Sequence, residues 1–149
     1  VVGAIDGKPL VTSDRGRVIP ASMSPTLTGL MNHVVTTVPY YSDRTLIPGY
    51  YVGGKTGTAQ IWDTAINNWK SGTFNFSFIG YVGRRVGHPD LVAAVRINEA
   101  RPTSRRVGQL SLPVMSFELF RRIATDAMSI PGFLPELAPL PPSSGRTGD

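Results

Sequence analysis

Ile47-Pro48-Gly49-Tyr50-Tyr51-Val52-Gly53-Gly54-Lys55-Thr56-Gly57-Thr58-Ala59-Gln60 sits near the middle of the chain and carries most of its meaning. Pro48-Gly49 is a turn pair, and from Tyr50 to Ile61 the β-formers Tyr, Val, Thr and Ile recur around three glycines. That composition predicts a strand. Strand alternation then puts Thr56 and Thr58 on one face and Lys55 and Gly57 on the other. Two hydroxyls two residues apart suit a carboxylate, and a neighbouring ammonium adds attraction. If the strand lies at a sheet edge, its backbone N–H groups are also open to a ligand running alongside. Gly57 would let backbone or ligand approach closely.

The flanking sequence predicts helices around a small sheet. Val1 to Ala4 reads as a short apolar strand cut from its neighbours, followed by a turn through Asp6-Gly7. Leu10 to Ile19 reads as a loop with a short strand. Ser24-Pro25 is a helix start, with Ser24 as N-cap and Pro25 at the first helical position. Leu27, Leu30, Met31, Val34, Val35 and Val38 follow at helical spacing as one buried stripe, and Pro39 ends the helix. Tyr40 to Gly49 is read as a connector, and Trp62 to Thr73, polar with two Trp, as a loop. Asn75 to Val82 and Leu91 to Ile97 are two further strands, joined by the Gly- and Pro-containing turn from Gly83 to Asp90. A last helix is capped at Ser111 or the preceding turn and has Pro113 near its start. Its apolar face is Val114, Phe117, Phe120, Ala124, Ala127 and Met128, and Pro131-Gly132 ends it. Helix, antiparallel three-strand meander, helix is an α+β order.

Composition narrows the chemistry. The chain has 149 residues, 41% hydrophobic and 17% charged, which is ordinary for a folded domain. With no cysteine, disulfides, thiolate nucleophiles and Cys-bound zinc are all excluded. His33 and His88 are far apart in sequence and Asp63 and Glu99 have no evident carboxylate partner, so neither a metal site nor paired acid–base chemistry is expected. No cofactor is expected either. The net charge of +5 rests on 15 basic residues against 10 acidic ones. The Arg doublets at 84–85, 105–106 and 121–122 fall in three separate elements without interleaved aromatics. A solvated basic surface is therefore expected rather than a nucleic-acid interface. No apolar run is long enough for a membrane span, and no leader pattern is present.

The stretch from Ile47 to Gln60 resembles the approach to the Lys-Thr-Gly strand of class B penicillin-binding proteins, the peptidoglycan D,D-transpeptidases. The Pro-Gly turn, the glycine before Lys55 and the Thr58-Ala59-Gln60 continuation all match. Phe78-Ile79-Gly80-Tyr81 resembles that family's next strand, Leu91 to Ile97 the one after, and Leu112-Pro113-Val114 to Ile123 its last helix. The resemblance covers residues 1–132 and leaves 133–149, rich in Pro, Gly and Ser, as a tail. It implies the C-terminal part of the penicillin-binding-protein/serine β-lactamase-like fold, an antiparallel sheet flanked by helices.

That family's site combines Ser-x-x-Lys, which holds the nucleophile, with Ser-x-Asn and Lys-Thr/Ser-Gly. Ile5, Val52 and Asn67 stand three positions before the lysines here, so Ser-x-x-Lys is absent. Leu30, Ala65, Ile66, Thr73 and Arg96 stand two positions before the asparagines, so Ser-x-Asn is absent as well. The expectation is a chain that begins after both motifs and does not acylate by itself. By resemblance, Lys55 supports the Ser-x-Asn serine and the local positive field, while Thr56 and Thr58 hold the terminal carboxylate of a stem peptide or β-lactam. The Thr58 N–H would be half of an oxyanion hole, with Gly57 between them. Gln60, Trp62 and Trp69 are further candidates for substrate contact; an aromatic wall and simple packing over the loop are equally open for the two Trp. The implied partners are the N-terminal remainder of the same domain, peptidoglycan stem peptides and β-lactam antibiotics. The implied location is the extracytoplasmic face of the bacterial cytoplasmic membrane, in division or in elongation. A serine β-lactamase, a β-lactam sensor and a non-catalytic module that binds peptides by edge pairing are the other readings.

Overall fold

In a computed structural model that describes residues 4–5, 7–9, 16–106 and 109–134, the chain runs as follows. A two-residue pair, β1 (Ala4–Ile5) and β2 (Lys8–Pro9), precedes a 3-10 turn (Ala21–Met23), α1 (Ser24–Thr37) and α2 (Pro39–Thr45). Then come β3 (Tyr51–Asp63), β4 (Asn68–Gly83) and β5 (Leu91–Ala100), a small hairpin of β6 (Ser104–Arg106) and β7 (Gln109–Ser111), and α3 (Ser116–Met128). The α+β class and the antiparallel sheet order β3-β4-β5 are as the sequence predicts. Val1, Val2, most of 10–19 and the tail beyond 134 lie outside the described residues.

The register decides which side chains meet. Val52 pairs with Val82, Gly54 with Gly80, Thr56 with Phe78 and Thr58 with Phe76. Those residues share one face of the sheet. Phe76, Phe78, Phe117 and Phe120 are fully buried there, with the Phe78 and Phe120 rings 4.9 Å apart. Each such ring withdraws enough apolar surface to stabilise the fold by about 1.5–3 kcal/mol. β5 adds Val95 and Ile97 to the same core. Gly54 is small because Phe78 needs the room: a Cβ there would overlap the Phe78 ring and stand 2.8 Å from the Ile79 carbonyl oxygen.

The opposite face is covered at one end by α1. Tyr81 Oη donates to the Thr28 carbonyl at 2.6 Å, and Asn32 Nδ2 donates to the Val52 carbonyl at 2.6 Å. Gly53, paired with Tyr81, has Asn32 backbone N only 2.8 Å from where its Cβ would be, so a side chain there would push the helix off. Elsewhere on the same face Ile79 and Val92 are 55% and 67% exposed.

Five local expectations are corrected. The apolar stripe of α1 is not uniformly buried: Val35 is, but Leu27, Leu30 and Val38 are 48%, 61% and 37% exposed. The polar residues Thr28 and Asn32 contact the sheet instead, because hydrogen bonds to strand backbone and Tyr81 set that face. Ser24 is not the N-cap; the 3-10 turn runs straight into the helix and the cap position is Met23. Pro39 does stop α1, yet it also starts α2, so 39–45 is helical and not a connector. The segment from Trp62 to Thr73 is no loop: β3 and β4 continue through it, closing at 64–67 with Asn67 at φ 49°. At α3 the cap is Met115 rather than Ser111, and Glu118 reaches back to the Met115 N–H at 2.7 Å.

Candidate functional site

β3 is an edge of its sheet among the described strands, pairing with β4 on one side only. Alternate backbone groups of an antiparallel edge strand point away from its neighbour, so β3 keeps donors free along that side. Thr56, Gly57 and Thr58 line a cavity of 340 Å³ closed by Tyr40, Tyr41, Leu110 and Ser116. The floor is the Phe76 end of the core, and the walls are α2, β7 and the first turn of α3.

The lysine and threonines behave differently. Lys55 is exposed, pairs across the sheet with Ile79, and folds its ammonium back on its neighbour. Nζ donates to the Thr56 carbonyl at 3.0 Å and lies 3.4 Å from Thr56 Oγ1. Thr56 Oγ1 is also 2.6 Å from Tyr41 Oη. Thr58 is exposed at the cavity rim. The alternation predicted from sequence therefore holds at the backbone. The flexible lysine stem nevertheless brings the ammonium and the first hydroxyl together around the strand.

α2 supplies the opposing wall. Tyr41 is 8% exposed, with its ring edge-on to Tyr40 at 5.6 Å and to Phe117 at 5.4 Å. Tyr40 Oη donates to the Leu110 carbonyl at 3.2 Å, tying α2 to β7. Burial raises the Tyr40 hydroxyl above its ordinary pKa, partly opposed by the Arg44 charge. The Arg44 guanidinium stands 5.8 Å from the Tyr40 ring centre and 5.1 Å from that of Phe117. It also grips Glu118 with two bonds, Nε to Oε1 at 3.0 Å and Nη2 to Oε2 at 2.7 Å. Burial alone would raise Glu118, but Arg44 and the Met115 N–H hold its carboxyl below the ordinary carboxylate range. One ion pair thus locks α2 to the start of α3 and fixes the cavity wall.

The remaining candidates lie elsewhere. Gln60 shares the face of Thr56 and Thr58 but does not line the cavity. Trp62 and Trp69 are a cross-strand pair near the β3–β4 turn, edge-to-face at 5.1 Å and about half exposed. His33 and His88 are exposed on α1 and in the β4–β5 turn. Asp63 and Glu99 are not joined in carboxylate chemistry; Glu99 pairs with Lys70 at 2.8 Å. Among the described residues no three His, Asp or Glu side chains converge, and no helix is long and apolar enough to cross a membrane.

Sequence reading missed Tyr40, Tyr41, Arg44 and Glu118. A signal was present: Pro39 after a helix end also marks a possible helix start, which would have placed two tyrosines on one turn.

Comparison with known families agrees with this fold. Residues 2–116 match the model of the penicillin binding protein transpeptidase domain, and the chain belongs to that family. Among solved structures, penicillin binding protein 3 from Mycobacterium tuberculosis is similar, in its apo form and in complexes with ampicillin and with aztreonam. Each superposes with a TM-score of 0.58 at 24% identity, over 75% of this chain and 25% of that one. The shared feature is the fold, and this chain spans about a quarter of the length of those relatives. No curated protein matches.

Proposed function

We propose that this chain is the C-terminal part of a peptidoglycan D,D-transpeptidase, with residues 1–132 in the transpeptidase domain and 133–149 as a tail. The observation that carries the reading is the Lys55-Thr56-Gly57-Thr58 strand at a sheet edge, with both hydroxyls opening on a cavity. A carboxylate entering from the edge would meet the Thr56 and Thr58 hydroxyls and the Lys55 ammonium. Charge-assisted bonds of this kind are the strong ones. The Thr58 N–H would then provide one donor to the oxyanion formed at the scissile D-Ala-D-Ala carbonyl or the β-lactam ring.

The nucleophile has to come from outside these 149 residues, since no Ser-x-x-Lys occurs in them. In the complete reaction, a serine oxygen adds to the carbonyl carbon, the terminal D-alanine leaves with a proton, and an amine of a second stem peptide displaces the serine. The chain's own part is to hold the carboxylate, contribute positive field and stabilise the oxyanion. Partners are the N-terminal remainder of the domain, stem peptides and β-lactams, at the extracytoplasmic face of the cytoplasmic membrane.

Fluorescent penicillin tests this directly. The intact protein carrying the upstream serine becomes covalently labelled, and this chain expressed alone does not. Labelling of the isolated chain would overturn the division of labour. Failure to label the intact protein would overturn the transpeptidase reading itself.

A further inference from the structure

We infer that Tyr41 is a positioning residue that makes Thr56 a dedicated hydrogen-bond donor to the carboxylate of the ligand. The inference rests on the carboxylate-clamp reading above and adds a residue that lies outside the Lys-Thr-Gly strand.

The argument is one of donor counting. A threonine hydroxyl has one proton to give and two lone pairs to receive with. An ammonium can only donate, so the approach of Lys55 Nζ to Thr56 Oγ1 at 3.4 Å takes up an acceptor direction. Tyr41 Oη at 2.6 Å is either donor or acceptor by geometry alone. A phenol is far more acidic than an alkyl alcohol, which favours the phenol proton lying between the two oxygens, toward Thr56. Both acceptor directions of Thr56 Oγ1 are then used, and its own proton is left with one way to point, into the cavity.

The direction is held because Tyr41 is buried and packed on two rings. Its ring is clamped by Tyr40 and Phe117, and Phe117 in turn by the α2–α3 lock of Arg44 and Glu118. A carboxylate arriving at the cavity meets a donor already aimed, and the ordering of one hydroxyl rotor is not deferred to the moment of binding. A neutral ester at the same place accepts more weakly and gains less from it.

The test is acylation of the intact protein by benzylpenicillin and by its methyl ester, in wild type, Tyr41→Phe, Thr56→Val and the double variant. Tyr41→Phe keeps the ring contacts and removes only the hydroxyl. Its acid-to-ester ratio of second-order acylation rates is expected to fall about threefold, the scale of ordering one three-well hydroxyl rotor. Thr56→Val lowers the ratio at least as far, and adding Tyr41→Phe to it lowers the ratio no further. A structural role for Tyr41 would slow acid and ester alike and would persist without the Thr56 hydroxyl. That outcome, or an unchanged ratio in Tyr41→Phe, overturns the inference. A wild type that reacts with neither compound overturns instead the function on which it rests.

Discussion

Thr45 is fully buried at the end of α2, and its hydroxyl has no hydrogen-bond partner among the described residues. An unpaired hydroxyl taken out of water costs about 1–3 kcal/mol. Thr45→Val keeps the branched shape and removes the polar atom, so it is expected to raise stability by about 1 kcal/mol in urea unfolding; a fall of similar size would mean that the hydroxyl is partnered. Gly53 and Gly54 show the converse at the same scale. They look like punctuation within the strand, yet each occupies a position where a Cβ would strike α1 or Phe78. Tyr41 belongs here too, since one hydroxyl on a helix outside the motif bonds to the motif's first threonine.

Between elements, the chief joints are polar at α1 and aromatic at α3. α1 meets the sheet through Tyr81 Oη on Thr28 and Asn32 on Val52, with its larger apolar residues turned outward. Tyr81→Phe leaves the ring packed and removes the second donor to the Thr28 carbonyl, which keeps its bond within the helix, for an expected loss of about 0.5–1.5 kcal/mol. Hydrogen exchange resolves where it acts: protection is lost first along α1, while β4 and β5 amides keep theirs. Equal loss across the sheet would show that the bond does not belong to the α1 joint alone. At the other joint α3 buries Phe117 and Phe120 against Phe78, and Arg44 with Glu118 fixes where that helix begins.

For the whole molecule, charge sets the acid limit of stability. Glu118 has its pKa lowered below an ordinary 4.5, and Asp90 is lowered below 3.8 chiefly by its bonds from Arg84. A carboxyl with a depressed folded-state pKa binds protons more readily when unfolded. Its stabilisation is present above the unfolded value and is lost as pH falls through the folded one. The melting temperature is therefore expected to drop on acidification below about pH 4.5. Glu118→Gln keeps an acceptor for the Met115 N–H and removes the charge, so it should melt lower at neutral pH and show a shallower acid slope. An unchanged slope would remove Glu118 from the explanation. The exposed apolar side chains of α1 and of the outer sheet face, Leu27, Leu30, Ile79 and Val92, suit a surface covered by further protein. That agrees with the proposed N-terminal remainder.

Local sequence determined the strand and its chemistry. The Pro48-Gly49 turn, the β-formers and the glycines place Lys55, Thr56 and Thr58 on β3, and alternation assigns their faces, because both depend on neighbours in the chain. The Phe117, Phe120 and Ala124 face of the last helix was legible for the same reason. Tertiary structure alone decided the rest. A buried stripe was predicted for α1, but periodicity cannot see that strand backbone and Tyr81 would claim Thr28 and Asn32. Nor can it see that Trp62 and Trp69 would hold a hairpin together across the ladder, or that Tyr41 would reach a hydroxyl on another element. Hydrogen bonds and ring contacts between distant residues depend on register and docking, which one pass along the chain does not contain.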